Sequence, residues 1–319
     1  MLEVTNNRMN PFIDPNIHVW HGEVAADLFL AAMVGGIMAL TAGLYLWAPR
    51  KECSRGFCLL PWISPLLISF CLLFLWIDLG NKVNAFRFFF VLKSYSFMSW
   101  GSWIILMTYP ASMLFAWSGS PQDFKTRWLK RLPFIAGIGA WADKHRRGLA
   151  IWNFITGCAL GLYTGALLAF YAARPLWNSP ILPLLFLSSG LACAAAYMLL
   201  VKLTDKERMV VSRILVGALI SQALMNALWF MGLETASDSG RMALDLFTGK
   251  QYTAAYWSLV VGMGLVIPLL TAWFRKLQSQ GLQRAVTFFV LAGAFALRWL
   301  IIYAGQHADA AGHVAGLGG

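Results

Sequence analysis

Eight apolar segments constrain the fold of this chain more than any other feature. Each is close to the roughly 20 residues that an α-helix needs to cross the hydrocarbon core of a bilayer. Hydrophobic residues make up 59% of the 319 residues and charged residues only 12%, which is more apolar than a soluble domain requires. The sequence therefore predicts an all-α integral membrane protein with eight transmembrane helices. The predicted spans are 24–47, 61–79, 95–117, 149–172, 181–201, 210–233, 254–274 and 285–305.

The distribution of lysine and arginine predicts the orientation of these helices. Of the 25 lysines and arginines, seven lie in the segments and loops on the side of the N-terminus, and seventeen lie on the opposite side. Positively charged residues favour the cytoplasmic side of a membrane. We therefore expect both termini on the outer, periplasmic side of a bacterial cytoplasmic (inner) membrane.

The sequence is interpreted as a single polytopic membrane domain, 1–319. It comprises an outer N-terminal segment, 1–23, the eight-helix core, 24–305, and an outer C-terminal tail, 306–319. The net charge of +11 is attributed to this topology and to attraction by anionic lipid headgroups. A nucleic-acid partner is therefore not expected.

Histidine and cysteine positions argue against a resident redox centre. A bis-histidine haem needs two imidazoles that face each other within the bilayer, and an iron–sulfur cluster needs four converging thiolates. The spacing of the five cysteines fits no such cluster, and we expect neither haem, nor an iron–sulfur cluster, nor any other metal site. The five histidines all lie outside the predicted spans: His18, His21, His145, His307 and His313.

A few ionisable or phenolic side chains lie at membrane depth. Placing a charged residue at the centre of a spanning helix costs about 2.5 to 3.5 kcal/mol, so such residues mark functional sites. Asp27 lies one turn inside the first span, and Glu23 precedes it by four residues on the same helix face. Asp78 closes the second span, whereas Tyr163 and Arg298 lie in the outer halves of the fourth and eighth. By the predicted orientation all five share the outer leaflet, which predicts one polar site.

Each of these residues except Asp27 also has a simple structural interpretation. Asp78 can be a polar helix end, and Glu23 can complement the dipole of the first helix. Arg298 can extend to the headgroups, and Tyr163 can pack in the core with its hydroxyl bonded. Asp27 is therefore the strongest candidate for a functional role.

Several sequence blocks, in the right order, resemble the NrfD/polysulfide-reductase membrane-subunit family. The resemblance spans all eight predicted helices. The blocks are WHGEVAADLFLAAMVGG (20–36), IDLG (77–80), FMSWGSW (97–103), GLYTGALL (161–168), PLWNSPILPLLFLSSGL (175–191) and FALRWLIIYAGQ (295–306).

The resemblance implies a haem-free subunit with two four-helix bundles. Such a subunit exchanges electrons between menaquinone or ubiquinone and a ferredoxin-like iron–sulfur subunit on the outer face. A further catalytic subunit, with molybdopterin or several haems, completes the oxidoreductase complex. The active centre for the terminal substrate would lie in that subunit rather than in this one.

The resemblance also implies roles for individual residues. Tyr163 stands where the family's YTG tyrosine contacts the quinone, and Asp27 is expected to exchange the proton, so these two are the predicted catalytic residues. The other predicted contacts to the quinone lie on the same side of the membrane. They are Trp20, His21, Glu23, Asp78 and Arg298.

The sequence departs from the family pattern at two places. Val24 and Asp27 stand where the best-known branch has an asparagine and a histidine, so an acid replaces an imidazole. Loop 81–94 lacks the usual short, proline-containing arginine motif, and Arg87 is the residue that stands in for its base. The contacts to the quinone are therefore expected to differ from those in that branch.

Two other functions fit the apolar helices. In a proton- or ion-conducting subunit without quinone chemistry, the acids would form a path, and polar residues would continue through the inner leaflet. The inner halves offer scattered groups, for example Asn153, Thr156, Ser212 and Gln222. In a purely structural anchor, no ligand would bind near Asp27.

Two loops are expected to contact the membrane surface or a partner subunit. Loop 118–148 combines tryptophans with seven basic residues and is expected to lie on anionic headgroups. The iron–sulfur subunit is expected to dock on 1–23, 80–94, 173–180 and 234–253. The last of these loops is long and presents apolar residues as a contact surface does. These residues are Met242, Leu244, Leu246 and Phe247.

Overall fold

The computed structural model consists of helices joined by short turns in the residues it describes. The described residues are 20, 22–47, 54–78, 82, 87–90, 93, 96–131, 133–171, 174–274 and 279–315. No strand occurs among them, which confirms the prediction of an all-α fold.

The α-helices in the described residues are numbered here in order along the sequence. Two 3₁₀ turns, Leu60–Trp62 and Pro133–Ile135, and a π-helix, Tyr256–Val266, are interposed. The α-helices are α1 Gly22–Trp47, α2 Arg55–Leu59, α3 Ile63–Asp78, α4 Arg87–Phe90, α5 Phe97–Gly119, α6 Gln122–Arg131, α7 Ala136–Lys144, α8 Arg146–Ala169, α9 Leu182–Met198, α10 Asp205–Ala236, α11 Asp238–Thr248, α12 Thr253–Ala255, α13 Ile267–Phe274 and α14 Gln280–Ala315.

Each predicted span coincides with helical structure, and six of the described helical stretches are long and apolar enough to cross a membrane. The two predicted spans that are not among these six correspond to α9 and α5. Helix α9 has 17 residues, or about 25 Å at 1.5 Å per residue. Helix α5 is long enough, but serines, glycines and Pro110 lower its hydropathy. Eight spans therefore stay a prediction, and a multi-pass membrane protein is established.

Helix α1 lies at the centre of the molecule. It packs against α3, α8, α9 and α14, while α5 completes the first group of helices by packing against α8. The second group consists of α9, α10, α14 and the π-helix, with α9 in contact with both α1 and α10. The two ends of the molecule are called here the Trp20 end, where α1 begins, and the Arg146 end, where α8 begins.

Small residues allow α1 to approach its neighbours closely. A methyl group added to Gly35 of α1 would lie 2.6 Å from the carbonyl oxygen of Gly157 and 2.7 Å from the amide nitrogen of Gly161 on α8. Backbones at such distances leave no space for a side chain. Gly157, Gly161 and Gly165, spaced four residues apart on one face of α8, thus serve packing.

The loop between α10 and the π-helix corrects one prediction. It folds as α11, whose N-cap Ser237 accepts a hydrogen bond from the amide of Gly240. Leu244, Leu246 and Phe247 are buried within the molecule, so the prediction that they face a partner is wrong. The amphipathic helix turns them toward the core, and Met242 remains exposed at 52%.

Loop 118–148 forms the amphipathic helices α6 and α7 at the Arg146 end. Lys125 of α6 is buried and forms an ion pair with Asp143 of α7 at 2.6 Å. Large apolar side chains on the two helices are exposed, including Trp128, Ile138 and Trp141. This arrangement fits the predicted position on a membrane surface.

Candidate functional site

Asp27 lies where α1 meets α3 and α8. Its carboxylate is near enough to interact electrostatically with the phenol of Tyr163 on α8 and the thiol of Cys71 on α3. The Cys71 thiol also lies 4.0 Å from the backbone oxygen of Asp27. The side chain of Asp27 is half-buried. A carboxylate and a phenol therefore lie near each other toward the Trp20 end.

The position of Tyr163 depends on a glycine of α5. The phenol lies directly against Gly101, where an added methyl group would overlap the ring and its hydroxyl. Phe97, one helical turn earlier on α5, lies parallel to the Tyr163 ring, with 6.2 Å between ring centroids. Gly101 and Phe97 thus hold the phenol from the side of α5, while Asp27 approaches from α1.

An open cleft lies beside this pair, between the start of α5 and the end of α8. Its walls are mainly apolar and aromatic, including Phe97, Leu167 and Phe170. Phe97 stacks on Phe170 with 3.7 Å between ring centroids. Asp27 and Tyr163 do not line the cleft, because Phe97 stands between it and the phenol.

Trp20 belongs to an aromatic cluster at the start of α1. Its ring stacks on Trp177 at 5.3 Å and meets Tyr171 edge to face at 5.3 Å. Its backbone amide donates to the side chain of Gln306 on α14, whose own amide donates to the Trp20 carbonyl. Tyr171 in turn lies near Tyr163. Trp20 therefore joins α1 to α14 and borders the site through Tyr171.

Of the other residues predicted for the site near this end, the structure describes some side chains and not others. Glu23 lies in the first turn of α1 and is half-buried. Asp78 ends α3, but its side chain lies outside the described residues, as does His21. Among the described residues, no group of three or more histidines, cysteines and acids is close enough to hold a metal ion.

Arg298 of α14 is fully buried, at 0% exposure. Its guanidinium donates to the Ser189 hydroxyl and the Phe186 carbonyl of α9, and to the Ala294 carbonyl one turn earlier on its own helix. The guanidinium carbon also lies 4.7 Å from the centre of the Phe186 ring. These contacts join α14 to α9.

Sequence reasoning missed three residues that shape the site. From the sequence, Cys71 is only one of five cysteines whose spacing fits no cluster, and Phe97 and Gly101 are only parts of the FMSWGSW block. The glycine at the fifth position of that block is a usable signal, since glycine within a helix marks a close approach by another group. Which group approaches, here Tyr163, depends on how α5 and α8 pack.

The helices and this polar cluster define a class, a multi-pass helical membrane protein with an acid and a phenol near one end. Comparison with known proteins then gives the family. The sequence pattern of the family described as "Polysulphide reductase, NrfD" matches residues 9–309. The protein belongs to the NrfD family, which confirms the resemblance seen in the sequence.

Individual relatives match over nearly their full lengths. The C subunit of polysulfide reductase from Wolinella succinogenes is 30% identical over 317 residues, and the match covers 91% of this sequence and 95% of the relative. Protein NrfD of Escherichia coli is 27% identical over 304 residues, covering 90% and 95%. A NrfD homolog of Haemophilus influenzae is 26% identical, covering 93% and 97%.

Proposed function

We propose that this protein is the quinone-reactive membrane subunit of a respiratory oxidoreductase complex, without haem or iron–sulfur cluster of its own. It exchanges electrons between a menaquinone or ubiquinone pool and an iron–sulfur subunit docked at the Trp20 end. The observation that carries this proposal is the proximity of Asp27 to Tyr163 beside an apolar cleft.

The residues present fit a quinone. The cleft offers aromatic and aliphatic walls suited to a planar ring and an isoprenoid tail. Asp27 and Tyr163 would hold the head group and the cleft would hold the tail, which requires the Phe97 side chain to turn out of the space between them. A bound quinone or quinol supplies the two-electron, two-proton chemistry.

The two site residues differ in what they do with a proton. The Asp27 carboxylate accepts a proton from a hydroxyl within hydrogen-bond distance and can release it again, as a general base does. The Tyr163 phenol donates a hydrogen bond without a change of charge. Asp27 is thus assigned the proton exchange and Tyr163 the orientation of the head group.

The membrane arrangement is proposed from the charge distribution. Eight helices would span the cytoplasmic (inner) membrane in two groups of four, with the Trp20 end and both termini in the periplasm. The ferredoxin-like iron–sulfur subunit would dock at that end. A further molybdopterin or multihaem subunit would supply the terminal chemistry. The relative from Wolinella succinogenes, itself named as one part of a polysulfide reductase, supports an arrangement of several subunits.

An ion-conducting subunit is less well supported by the described contacts. Two polar side chains of α8 that would have to continue an ion path toward the Arg146 end bond to helix carbonyls. Asn153 donates to the Met38 carbonyl at 3.0 Å, and Thr156 donates to the Trp152 carbonyl at 2.9 Å. Such contacts pack helices and do not extend the polar path from Asp27.

The proposal is tested by Asp27→Asn in the assembled complex. The amide keeps the shape of the carboxylate but cannot accept a proton, so turnover with a quinol should fall about 10² to 10⁴-fold. Turnover is measured per mole of complex from pH 6 to 8, with assembly and helix content recorded alongside. Asp205→Asn makes the same chemical change on an exposed side chain at the Arg146 end, and its turnover should match the parent.

Parental turnover by the Asp27→Asn complex across this pH range would contradict the assignment, and Glu23 or Asp78 would become the base to test. A complex that retains no quinone and ignores quinol analogues would instead indicate a structural anchor.

A further inference from the structure

A second cavity lies at the Arg146 end, on the opposite side of the molecule from Asp27. It is partly open to the outside and lies among the ends of α1 and α5, the starts of α8 and α10, and the turn before α3. Leu44, Phe57 and Val210 contribute apolar walls, and Arg146 and Glu207 contribute charges. The proposed quinone chemistry does not use this cavity.

Arg146 is the cation of this cavity. Its guanidinium lies over the ring of Tyr45, 4.4 Å from the ring centre. Its Nε is buried and has no hydrogen-bond partner in the described part of the structure. A buried guanidinium nitrogen without an acceptor is costly, and an anionic ligand would remove that cost.

Glu207 is engaged elsewhere. One carboxylate oxygen accepts from the backbone amide of Ser54 at 3.2 Å. The other accepts from the amide and hydroxyl of Thr204, at 2.8 and 2.9 Å. These bonds cap the start of α10, and no ion pair joins Glu207 to Arg146 among the described contacts. Neighbouring cations differ from Arg146, because Arg55 and Lys125 each pair with an aspartate.

Two further features favour a phosphate group attached to a lipid. Helix α8 begins at Arg146, and the side chain of His145 does not cap it, so the partial positive charge of the helix start adds to that of the guanidinium. The rim carries Trp47, which is 78% exposed, and tryptophans of this kind mark the headgroup level of a bilayer. The exposed Trp128 and Trp141 of α6 and α7 lie at the same end.

From these observations we infer that the Arg146 cavity binds a membrane phospholipid. The phosphate diester accepts hydrogen bonds from Arg146, and one acyl tail lies along Leu44, Phe57 and Val210. An apolar wall next to a single guanidinium matches an amphiphile better than a free anion.

The test is binding of phosphatidylglycerol to the purified, detergent-solubilised protein, measured by native mass spectrometry. Two further probes separate the two halves of the ligand. Diacylglycerol with the same acyl tails represents the apolar half, and inorganic phosphate represents the headgroup. Phosphatidylglycerol should bind, diacylglycerol should bind at least tenfold more weakly, and inorganic phosphate should not displace the lipid. Arg146→Met should weaken phosphatidylglycerol binding at least tenfold.

Arg147→Met is the matched control, since Arg147 is the exposed neighbour and does not line the cavity. Its lipid binding should stay within twofold of the parent. Val210→Trp fills the apolar wall while keeping Arg146, and it too should weaken lipid binding. Thermal unfolding of each variant shows that it is folded.

Three results would overturn the inference. These are equal binding by the parent and Arg146→Met, equal binding of diacylglycerol and phosphatidylglycerol, and displacement of the lipid by inorganic phosphate. The last result would indicate a site for a soluble anion instead.

Discussion

Asp27 and Arg298 are both charged residues within apolar helices, but they differ in burial and in the groups that surround them. Arg298 is fully enclosed, and its guanidinium donates to three acceptors of the protein itself. Asp27 is half-buried and adjoins a phenol, a thiol and, beyond Phe97, an open cleft. The sequence alone placed both in one predicted site.

The difference teaches how to distinguish a structural charge from a reactive one. The two terminal nitrogens of Arg298 donate to acceptors that join α9 to α14, and its enclosed Nε has no hydrogen-bond partner in the described residues. A ligand would therefore have to displace protein acceptors to reach the guanidinium. A ligand approaching Asp27 meets a phenol and an apolar cleft instead. Burial at membrane depth identifies both residues, but only the identity of the partners separates their roles.

The largest effect beyond Asp27→Asn is expected for Gly101→Ala. The added methyl group overlaps the phenol of Tyr163, so the ring must move by about 1 Å. A displacement of this size in a reacting group can lower turnover about 10²-fold. Quinol turnover per assembled complex is the measurement.

Gly217→Ala is the matched control for this change. Gly217 lies within α10 and has no atom within 4 Å of where a methyl group would stand. Helix propensity favours alanine there by up to about 1 kcal/mol, so turnover should be retained. Equal turnover for Gly101→Ala and the parent would show that the position of Tyr163 is unimportant.

A smaller effect is expected for Tyr163→Phe. The phenylalanine ring keeps the stacking with Phe97 but loses the hydroxyl. The loss of one hydrogen bond to the quinone head group corresponds to roughly 1 kcal/mol, or about a fivefold rise in KM. Steady-state kinetics with a soluble quinol should show this rise with kcat nearly unchanged. A fall in kcat as large as that of Asp27→Asn would instead assign proton exchange to the phenol.

The smallest effect on turnover is expected for Arg298→Lys. The ammonium group keeps the charge but lacks the planar fork that reaches Ser189, Phe186 and Ala294 together. Unbonded acceptors in the core should lower stability by about 1 to 3 kcal/mol. Thermal unfolding should therefore shift downward, while turnover per folded complex stays within twofold. Lost turnover with an unchanged unfolding midpoint would indicate that Arg298 contributes to the quinone site.

Much of the fold follows from the sequence. The apolar segments locate every long helix, because backbone groups in lipid must be bonded within a helix. The π-helix Tyr256–Val266 was not predicted, since its pattern of apolar residues resembles that of an α-helix. The inward packing of Leu244 and Phe247 was also missed. A short amphipathic helix does not reveal whether its apolar face meets its own protein or a partner.

The site was predictable only in part. Asp27 and Tyr163 stand out as polar groups at membrane depth, and the structure brings them together. Their surroundings depend on which helices are neighbours, and hydropathy carries no such information. The role of Gly101 therefore follows only from the structure, in which α5 lies against Tyr163 of α8.

The central position of α1 has a consequence for biosynthesis. This helix is translated before the others, yet the glycine surface around Gly35 has its partners on α8 and α9. The bond from Asn153 to the Met38 carbonyl joins residues 115 positions apart. Until the ribosome has synthesised α8 and α9, α1 lies in the membrane without the helices that pack against its glycine surface. Nascent proteins that stall between α1 and α8 should therefore be preferred targets of membrane quality control.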